Sequence, residues 1–380
     1  MERAGLTQLL QATGCAEECG GFTFLCDPAW GAVEREKVAA LQESKIENRN
    51  SKIATGWLCV PTGGSGGGVR FARHDERTLT AAVEGFCAHF GLERVNAVGV
   101  LPAHHVSGLM ARVRCAATGG EHVAWDWKKL ESGSPPLLKL RRASWVLSLV
   151  PTQLQRLLAL PAAVAWLRGF RVIFVGGGPV WPELSDAAAR AELPVSLSYG
   201  LTETAAMVTA LRPAEFLAGA RSCGPALPHA RVAVAGEGVI TVAGGSVFRG
   251  YFPDENSARE FATEDLGRLD EHGHLHVLGR RDTVIITGGK KVQPAEVEAA
   301  LRASGEFGDV AVMGVPDPEW GQAVVACHDA GGRTPDMARV KAALAGLAAF
   351  KRPKRYVAVA DWPRNAQGKL NRAALLAALE

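Results

Sequence analysis

The sequence predicts an α/β protein, with a large N-terminal domain on a mostly parallel sheet and a small α+β lid at the C-terminal end. Three observations carry that expectation. Short apolar runs alternate with helix-like segments from Trp57 to Glu203, the signature of a β/α sheet. Several of those runs end in glycine, as strands do where they feed a loop. From about Arg221 the chain turns β-rich with tight glycine turns, and after Gly288 it alternates again in a compact tail. A length of 380 residues also exceeds one ordinary core and suggests two or three domains.

Taken in order, the first fifty residues carry little pattern and end in the polar run ESKIENRNSK. GWLCVPT reads as a buried strand entering a glycine-rich loop, and VRFAR after it alternates as a strand does. Asp75 is placed to cap the helix ERTLTAAVEGFCAHF. VNAVGVLPAHHVSGLMARV is a strand, a loop with two histidines and a helix, and ESGSPP (Ser132–Pro136) is a turn. SWVLSLV is a strand, with a helix opening at Pro151. FRVIFVGGGPV is a strand ending in glycines, followed by the helix WPELSDAAARAE, and PVSLSYGLTE runs strand into loop. In such sheets ligands sit beyond the carboxyl ends of strands, where Thr62, Gly176 and Tyr199 fall. The tail reads as helix PAEVEAALRAS, strand DVAVMGV, a helix, strand RYVAVA and a last helix from Asn371. A domain boundary is expected at Arg281–Asp282, giving units 1–281 and 282–380.

Composition narrows the function. Hydrophobic residues at 47% and charged residues at 21% are ordinary for a soluble globular chain. A formal charge of +3 argues for neither nucleic acid nor a membrane as partner, since both call for a concentrated basic patch. The N-terminus shows no signal-peptide pattern, and no run approaches the roughly 18 apolar residues of a spanning helix. Eight scattered cysteines form no disulfide framework, which points to reduced thiols and a cytoplasmic location. Cys15 and Cys19 are the one close pair, and no histidine lies near them to complete a metal site.

The loop PTGGSGGGVRF offers successive unhindered amides together with the hydroxyls of Thr62 and Ser65, a nest suited to phosphate. It is not a Walker A loop, because Val69 stands where lysine is required after Gly63 and Gly68. It is not a dinucleotide fingerprint either: counted from Gly64, the third glycine is again replaced by Val69. On its own such a loop is also compatible with a flexible turn.

In the company of other segments the loop resembles the phosphate-binding loop of the adenylate-forming superfamily (acyl-CoA synthetases, adenylation domains, luciferases), usually T-S-G-T/S-T-G-x-P-K. Thr62, Gly64, Ser65 and Gly67 match; Gly63, Gly66, Val69 and Arg70 depart, Arg70 standing where lysine is usual. SYGLTET (Ser198–Thr204) resembles the superfamily's YGxTE segment. The resemblance implies that Tyr199 stacks on adenine beside Ser198 and Gly200, that Thr202 binds the α-phosphate, and that Glu203 holds Mg²⁺ between phosphates. Gly176, Gly177, Gly178 and Pro179 resemble the segment lining the adenine and the acyl carbonyl. FATEDLGRLDEHGHLHVLGRRD resembles the later motifs, which assigns the ribose hydroxyls to Asp265 and Arg280 and the interdomain hinge to Asp282, with Glu264 replacing the usual glycine. IITGGKKVQPAEVE matches the first lid motif, whose Gly288 and Gly289 would line a coenzyme A channel, and PRNAQGK places Lys369 at the position of the catalytic lysine.

These matches follow the superfamily's order over most of the chain. They imply a large domain of two β/α subdomains and a β-barrel, with a mobile C-terminal lid. The chain ahead of the phosphate loop, about sixty residues, is shorter than the superfamily's usual length, so a shortened N-terminal subdomain is expected. LPAHHVSGL resembles a P-x-x-H-x-S-G segment of the branch that activates o-succinylbenzoate, with His105, Ser107 and Gly178 bordering the acid. His104 is the rival histidine and is expected to be an exposed loop residue. The implied chemistry joins a small-molecule carboxylic acid to coenzyme A using ATP and Mg²⁺, and a homodimer is compatible with it. Two other readings stay open: another aryl- or acyl-CoA ligase, and a catalytically dead nucleotide-binding relative. The joint presence of Glu203, Asp265 and Lys369 speaks against the second.

Overall fold

A computed structural model describes residues 2–46, 55–63, 69–136, 145–254, 260–331, 334–364 and 370–379. The N-terminal stretch that shows little sequence pattern forms helix α1 (Arg3–Gln11), the hairpin of β1 (Ala16–Cys19) and β2 (Phe22–Leu25), and helix α2 (Ala32–Ile46). With β3 (Leu58–Gly63) and β4 (Val69–His74) they give a four-stranded sheet in sequence order, where β2 and β3 run parallel and the other pairs antiparallel. Its interior is aromatic. Phe24 meets Phe71 and Phe252 edge-on at 5.1 and 5.0 Å, an arrangement the ring quadrupoles favour.

The turn from β4 into α3 (Glu76–Phe90) confirms the cap expected at Asp75. Its carboxylate accepts the Thr78 amide at 3.0 Å, and the Thr78 hydroxyl accepts the Asp75 amide at 3.1 Å. The same carboxylate, with its side chain only 2% exposed, also takes Arg249 Nε at 2.8 Å and Nη2 at 3.3 Å. Two residues earlier, Arg73 is wholly buried and gives its guanidinium to the carbonyls of Thr55, Gly56 and Asp254.

The second sheet is the expected β/α layer. Chain order is β5 (Asn96–Gly99), α4 (Val106–Ala117), β6 (His122–Ala124), α5 (Trp127–Glu131), β7 (Trp145–Leu149), α6 (Pro151–Leu158), α7 (Pro161–Leu167), β8 (Val172–Val175), α8 (Pro182–Arg190), β9 (Val195–Leu201) and β10 (Ala206–Ala210). Helices α6, α7 and α8 each open on a proline, whose missing N–H costs nothing in the first turn. The strand order is β10-β9-β8-β7-β5-β6, parallel except for β10. The chain therefore leaves β5 in one direction and returns beyond it to β7, creating a switch point where the β5 and β7 loops part.

After α9 (Pro213–Leu217), the β-rich stretch forms an antiparallel sheet of β11 (Ala230–Val234), β12 (Val239–Gly244), β13 (Glu260–Leu269) and β14 (Leu275–Arg280), in sequence order. Isolated bridges Ala72–Tyr251 and Thr209–Ala226 tie the segments flanking it to the other two sheets.

The C-terminal tail holds the hairpin β15 (Ile285–Thr287) and β16 (Lys290–Val292), then α10 (Pro294–Ala303), β17 (Val310–Asp317), β18 (Gly321–Asp329), α11 (Met337–Ala343), β19 (Arg355–Val359) and α12 (Arg372–Ala377). Strand β18 corrects the sequence reading, which passes from β17 directly to a helix. It is the central strand of three, antiparallel to β17 and parallel to β19, and Ala323–Cys327 is buried throughout. A buried carboxylate, Glu298, fastens this layer by accepting Arg372 Nη2 at 2.6 Å and the Val312 amide at 2.9 Å.

Among the described residues the cysteines are unpaired thiols, and no helix is long and apolar enough to cross a membrane. Burial pushes the thiol of Cys26 up to about 12 and those of Cys115 and Cys327 up to about 11.

The Asp75 corner generates the first prediction. Burial opposes its charge, but Arg249 and the Thr78 and Gly56 amides outweigh that and hold the carboxyl below its ordinary range. A depressed folded value means the stabilisation is complete above the unfolded value of about 3.9 and is lost as pH falls through the folded one. Asp75→Ala, which strands Arg249 and opens the cap, should cost about 3 kcal/mol in urea unfolding at pH 7. It should also flatten the fall in stability below pH 4. A loss under half of that with an unaltered acid profile would show that the corner is not a charged anchor.

Candidate active site

The β3–β4 hairpin brings Thr62 opposite Arg70 in register, so both arms of the glycine loop reach the site together. Gly64, Ser65, Gly66 and Gly67 lie outside the described residues, as does Lys369; Gly63 ends β3. Thr62 and Tyr199 sit within their strands, β3 and β9, instead of on the loops expected for them. Strand β9 continues through Gly200 to Leu201, and a single 3-10 turn, Thr202–Thr204, then presents Glu203. At Gly200 a Cβ would lie 2.1 Å from the Ala206 carbonyl, which explains the glycine in this segment.

Several contacts fix that turn. His74 Nε2 lies 2.7 Å from the Thr202 carbonyl; a carbonyl only accepts, so Nε2 carries the proton. Burial drives the His74 imidazole down to about 4, so the ring is neutral at physiological pH and suited to this role. The Phe248 amide donates to the Glu203 carbonyl at 2.9 Å. Ala205 and Ala206 follow with φ of +51° and +76°, a left-handed pair that non-glycine residues adopt only under constraint.

The Glu203 side chain is buried, and its Oε1 accepts the Tyr251 hydroxyl at 2.8 Å and the Thr62 hydroxyl at 3.3 Å. Among the described residues no side chain donates to Oε2. The Arg70 guanidinium lies over the Tyr251 ring at 4.3 Å. The donor set suits a hard cation such as Mg²⁺, which takes one or two carboxylates and completes its shell with phosphate and water oxygens. Among the described residues no group of three His, Cys, Asp or Glu side chains could hold a metal unaided.

A second cluster adjoins this one through Tyr199. Its hydroxyl donates to Asp265 Oδ2 at 2.8 Å, while Arg280, the register partner of Asp265 across β13 and β14, reaches Oδ1 at 3.3 Å. Burial raises the Asp265 carboxyl above its ordinary range, with Tyr199 and Arg280 pulling the other way. Burial and the Asp265 charge raise the Tyr199 phenol, so it stays a donor. Arg280 also grips Asp282 through Nε and Nη2, at 2.9 and 2.8 Å. Next to it Arg281 takes Glu264, the residue that replaces a glycine, at 3.1 and 2.9 Å.

The other expected residues stand on separate elements. Gly176, Gly177, Gly178 and Pro179 follow β8, where Gly176 packs on Ser198 and Gly178 approaches Pro151. His105 is the N-cap of α4 with Ser107 in its first turn, at the switch point. His104 is a correction: it is buried, not exposed, with Nε2 3.3 Å from Asp27 and its ring 4.5 Å from that of His105. Gly288 and Gly289 form the two-residue turn of the β15–β16 hairpin with φ of +53° and +73°, and the Gly288 amide donates to the Trp320 carbonyl at 2.8 Å. Sequence reasoning missed Tyr251, His74 and Asp27. Only Tyr251, in the run FRGYF, stands out by composition.

The AMP-binding enzyme family matches residues 11–252, and the AMP-binding enzyme C-terminal domain matches residues 296–369; the chain belongs to this family. It is 33% identical over 284 residues to a 2-succinylbenzoate–CoA ligase of Listeria monocytogenes, covering 72% of this chain and 59% of that protein. It is likewise 33% identical over 291 residues to an indoleacetate–CoA ligase of Aromatoleum aromaticum, covering 72% and 57%. The chain thus spans about three-fifths of the length of these curated relatives. The fold superposes on o-succinylbenzoate CoA synthetase of Bacillus subtilis, solved with an acyl-adenylate, with a TM-score of 0.76 and 25% identity, covering 93% of this chain and 78% of that one.

The Tyr199–Asp265 bond makes a pH prediction. Its hydrogen bond favours the Asp265 carboxylate, so Tyr199→Phe should raise the Asp265 pKa further. The acid limb of ATP binding, followed by calorimetry across pH, should then move to higher pH while the alkaline plateau changes little. An unmoved acid limb would remove Asp265 from nucleotide binding.

Proposed function

We propose that this chain is an ATP-dependent acid–CoA ligase that works through an acyl-adenylate, with o-succinylbenzoate as its acid. The observation that carries the reading is the pairing of two preorganised carboxylates. Glu203 is held by Tyr251 and Thr62, and Asp265 by Tyr199 and Arg280. The first suits a cation between phosphates, and the second suits a ribose diol. The names of the relatives support the acid, and the indoleacetate enzyme at equal identity keeps another aromatic acid as the second reading.

In the first half-reaction a carboxylate oxygen of the acid attacks the α-phosphorus of ATP, the bond to the β-phosphate breaks, and pyrophosphate leaves. In the second the CoA sulfur bonds to the acyl carbon as its thiol proton passes to solvent, and the acyl–oxygen bond breaks so that AMP departs with the oxygen it shared. The protein needs no nucleophile of its own, so its contribution is positioning and charge stabilisation. Mg²⁺ held by Glu203 would neutralise phosphate charge. Thr62, Ser65 and the loop amides would cradle phosphate with Arg70, and Thr202 would meet the α-phosphate. Asp265 and Arg280 would hold the ribose, and His105, Ser107 and Gly178 would border the acid at the switch point. Lys369 would bridge the attacking carboxylate and the α-phosphate. A division at Arg281–Asp282 would let the tail turn about Asp282, withdraw Lys369 and bring Gly288 and Gly289 to the CoA path.

The two half-reactions should separate in a variant. Lys369→Ala should lower pyrophosphate release by two or more orders of magnitude. It should still turn supplied acyl-adenylate and CoA into thioester. Equal impairment of both halves would end the alternation scheme. The same pyrophosphate assay over a panel of acids addresses the substrate. Preference for o-succinylbenzoate is expected, preference for indoleacetate or benzoate would transfer the proposal to that acid, and no turnover with any acid would overturn it.

A further inference from the structure

We propose that Tyr251 is a positioning residue that couples the arginine of the phosphate loop to the metal-binding carboxylate, so that Arg70 and Glu203 are set as one unit for Mg·ATP. The inference rests on the nucleotide part of the functional reading and extends it to a residue outside every motif singled out in the sequence.

The geometry is that of one aromatic side chain used at both ends. The Tyr251 hydroxyl donates to Glu203 Oε1 at 2.8 Å, and its ring face carries the Arg70 guanidinium at 4.3 Å. Thr62, the register partner of Arg70, donates to the same Oε1 at 3.3 Å. Both hydrogen bonds therefore fall on one oxygen. Glu203 is turned so that Oε2 has no donor among the described residues, a one-oxygen presentation that suits the tight octahedral shell of Mg²⁺. A phenol is the right donor for this task. A phenol, with an ordinary pKa of about 10, is protonated at neutral pH, so its hydroxyl donates to the carboxylate and orients it without neutralising it.

The stack also accounts for Arg70. A lysine ammonium is a compact point charge that needs no seat, whereas a guanidinium is planar and gains from a ring beneath it. Arg70 is exposed, so without such a support its long side chain would lose more rotamer freedom on engaging phosphate. The groups facing Tyr251 are Glu203 and Arg70 by contact, with the Glu264 charge farther off.

A purely structural role is the competing account. Tyr251 bridges Ala72 in backbone pairing, and its ring meets Phe248 edge-on at 4.9 Å. The two accounts part on magnesium. The measurement is calorimetric ATP affinity of the full chain with and without Mg²⁺, alongside thermal melting. Tyr251→Phe keeps the ring and loses the hydroxyl. It should leave metal-free ATP affinity within about twofold and cut the Mg²⁺-dependent gain about tenfold, the weight of a hydrogen bond to a charged group. Tyr251→Leu should lose the same gain and also weaken metal-free ATP binding about threefold. That extra loss should vanish in an Arg70→Ala background. An unchanged Mg²⁺ gain in Tyr251→Phe, or equal losses with and without metal, would overturn the coupling and leave the ligase reading standing. Failure of the unaltered chain to bind ATP at all would overturn both.

Discussion

A carboxylate taken out of water must find its compensation nearby, and Asp75 finds three partners that belong to different parts of the chain. It caps α3, receives the Arg249 guanidinium from the segment after β12, and accepts the Gly56 amide ahead of β3. Its neighbour His74 reaches across to the Thr202 carbonyl, so two consecutive residues join the first sheet, the second sheet and the antiparallel sheet at one corner. The turn carrying Glu203 hangs from that corner. A site assembled from strands far apart in sequence keeps its geometry only if their relative position is fixed by something stiffer than apolar contact, and a desolvated ion pair with a neutral imidazole beside it supplies this.

The two site carboxylates are handled alike. Each takes a tyrosine hydroxyl, Tyr251 for Glu203 and Tyr199 for Asp265. A neutral donor orients a carboxylate and leaves its charge available to an incoming cation or diol, where a lysine in the same place would have consumed it. Arg70 stands one step further out, while Arg280 meets Asp265 directly. Arg70 rests on a ring, and Arg280 is shared between Asp265 and Asp282.

Most of the fold was legible in local pattern. The alternation of the β/α layer, the Asp75 cap and the proline-started helices are short-range effects, and each appears where the chain announces it. What escaped depends on distance. Strand β18 looks like any apolar run until its neighbours on both sides are known, and α1 to α2 bury surface against strands later in the chain. At the site, Glu203, Asp265 and Arg280 were readable because their motifs are local. Tyr251 meets Arg70 only where a bridge to Ala72 brings the two segments together, and His104 is buried beside Asp27, far upstream. The glycine loop and Lys369 were legible as motifs alone, since their residues are not among those described.

The unpaired thiols follow from the same layering. Cys26 lies beside the first sheet, Cys115 on α4 behind the second, and Cys327 in the central strand of the tail, each buried. Sulfur reacts as the thiolate, and burial suppresses both the anion and its contact with reagent. Each thiol is thus a built-in reporter of local opening in a different layer. Alkylation kinetics at the three positions would read out, without any introduced label, which part of the chain loosens first and whether the tail breathes independently of the rest.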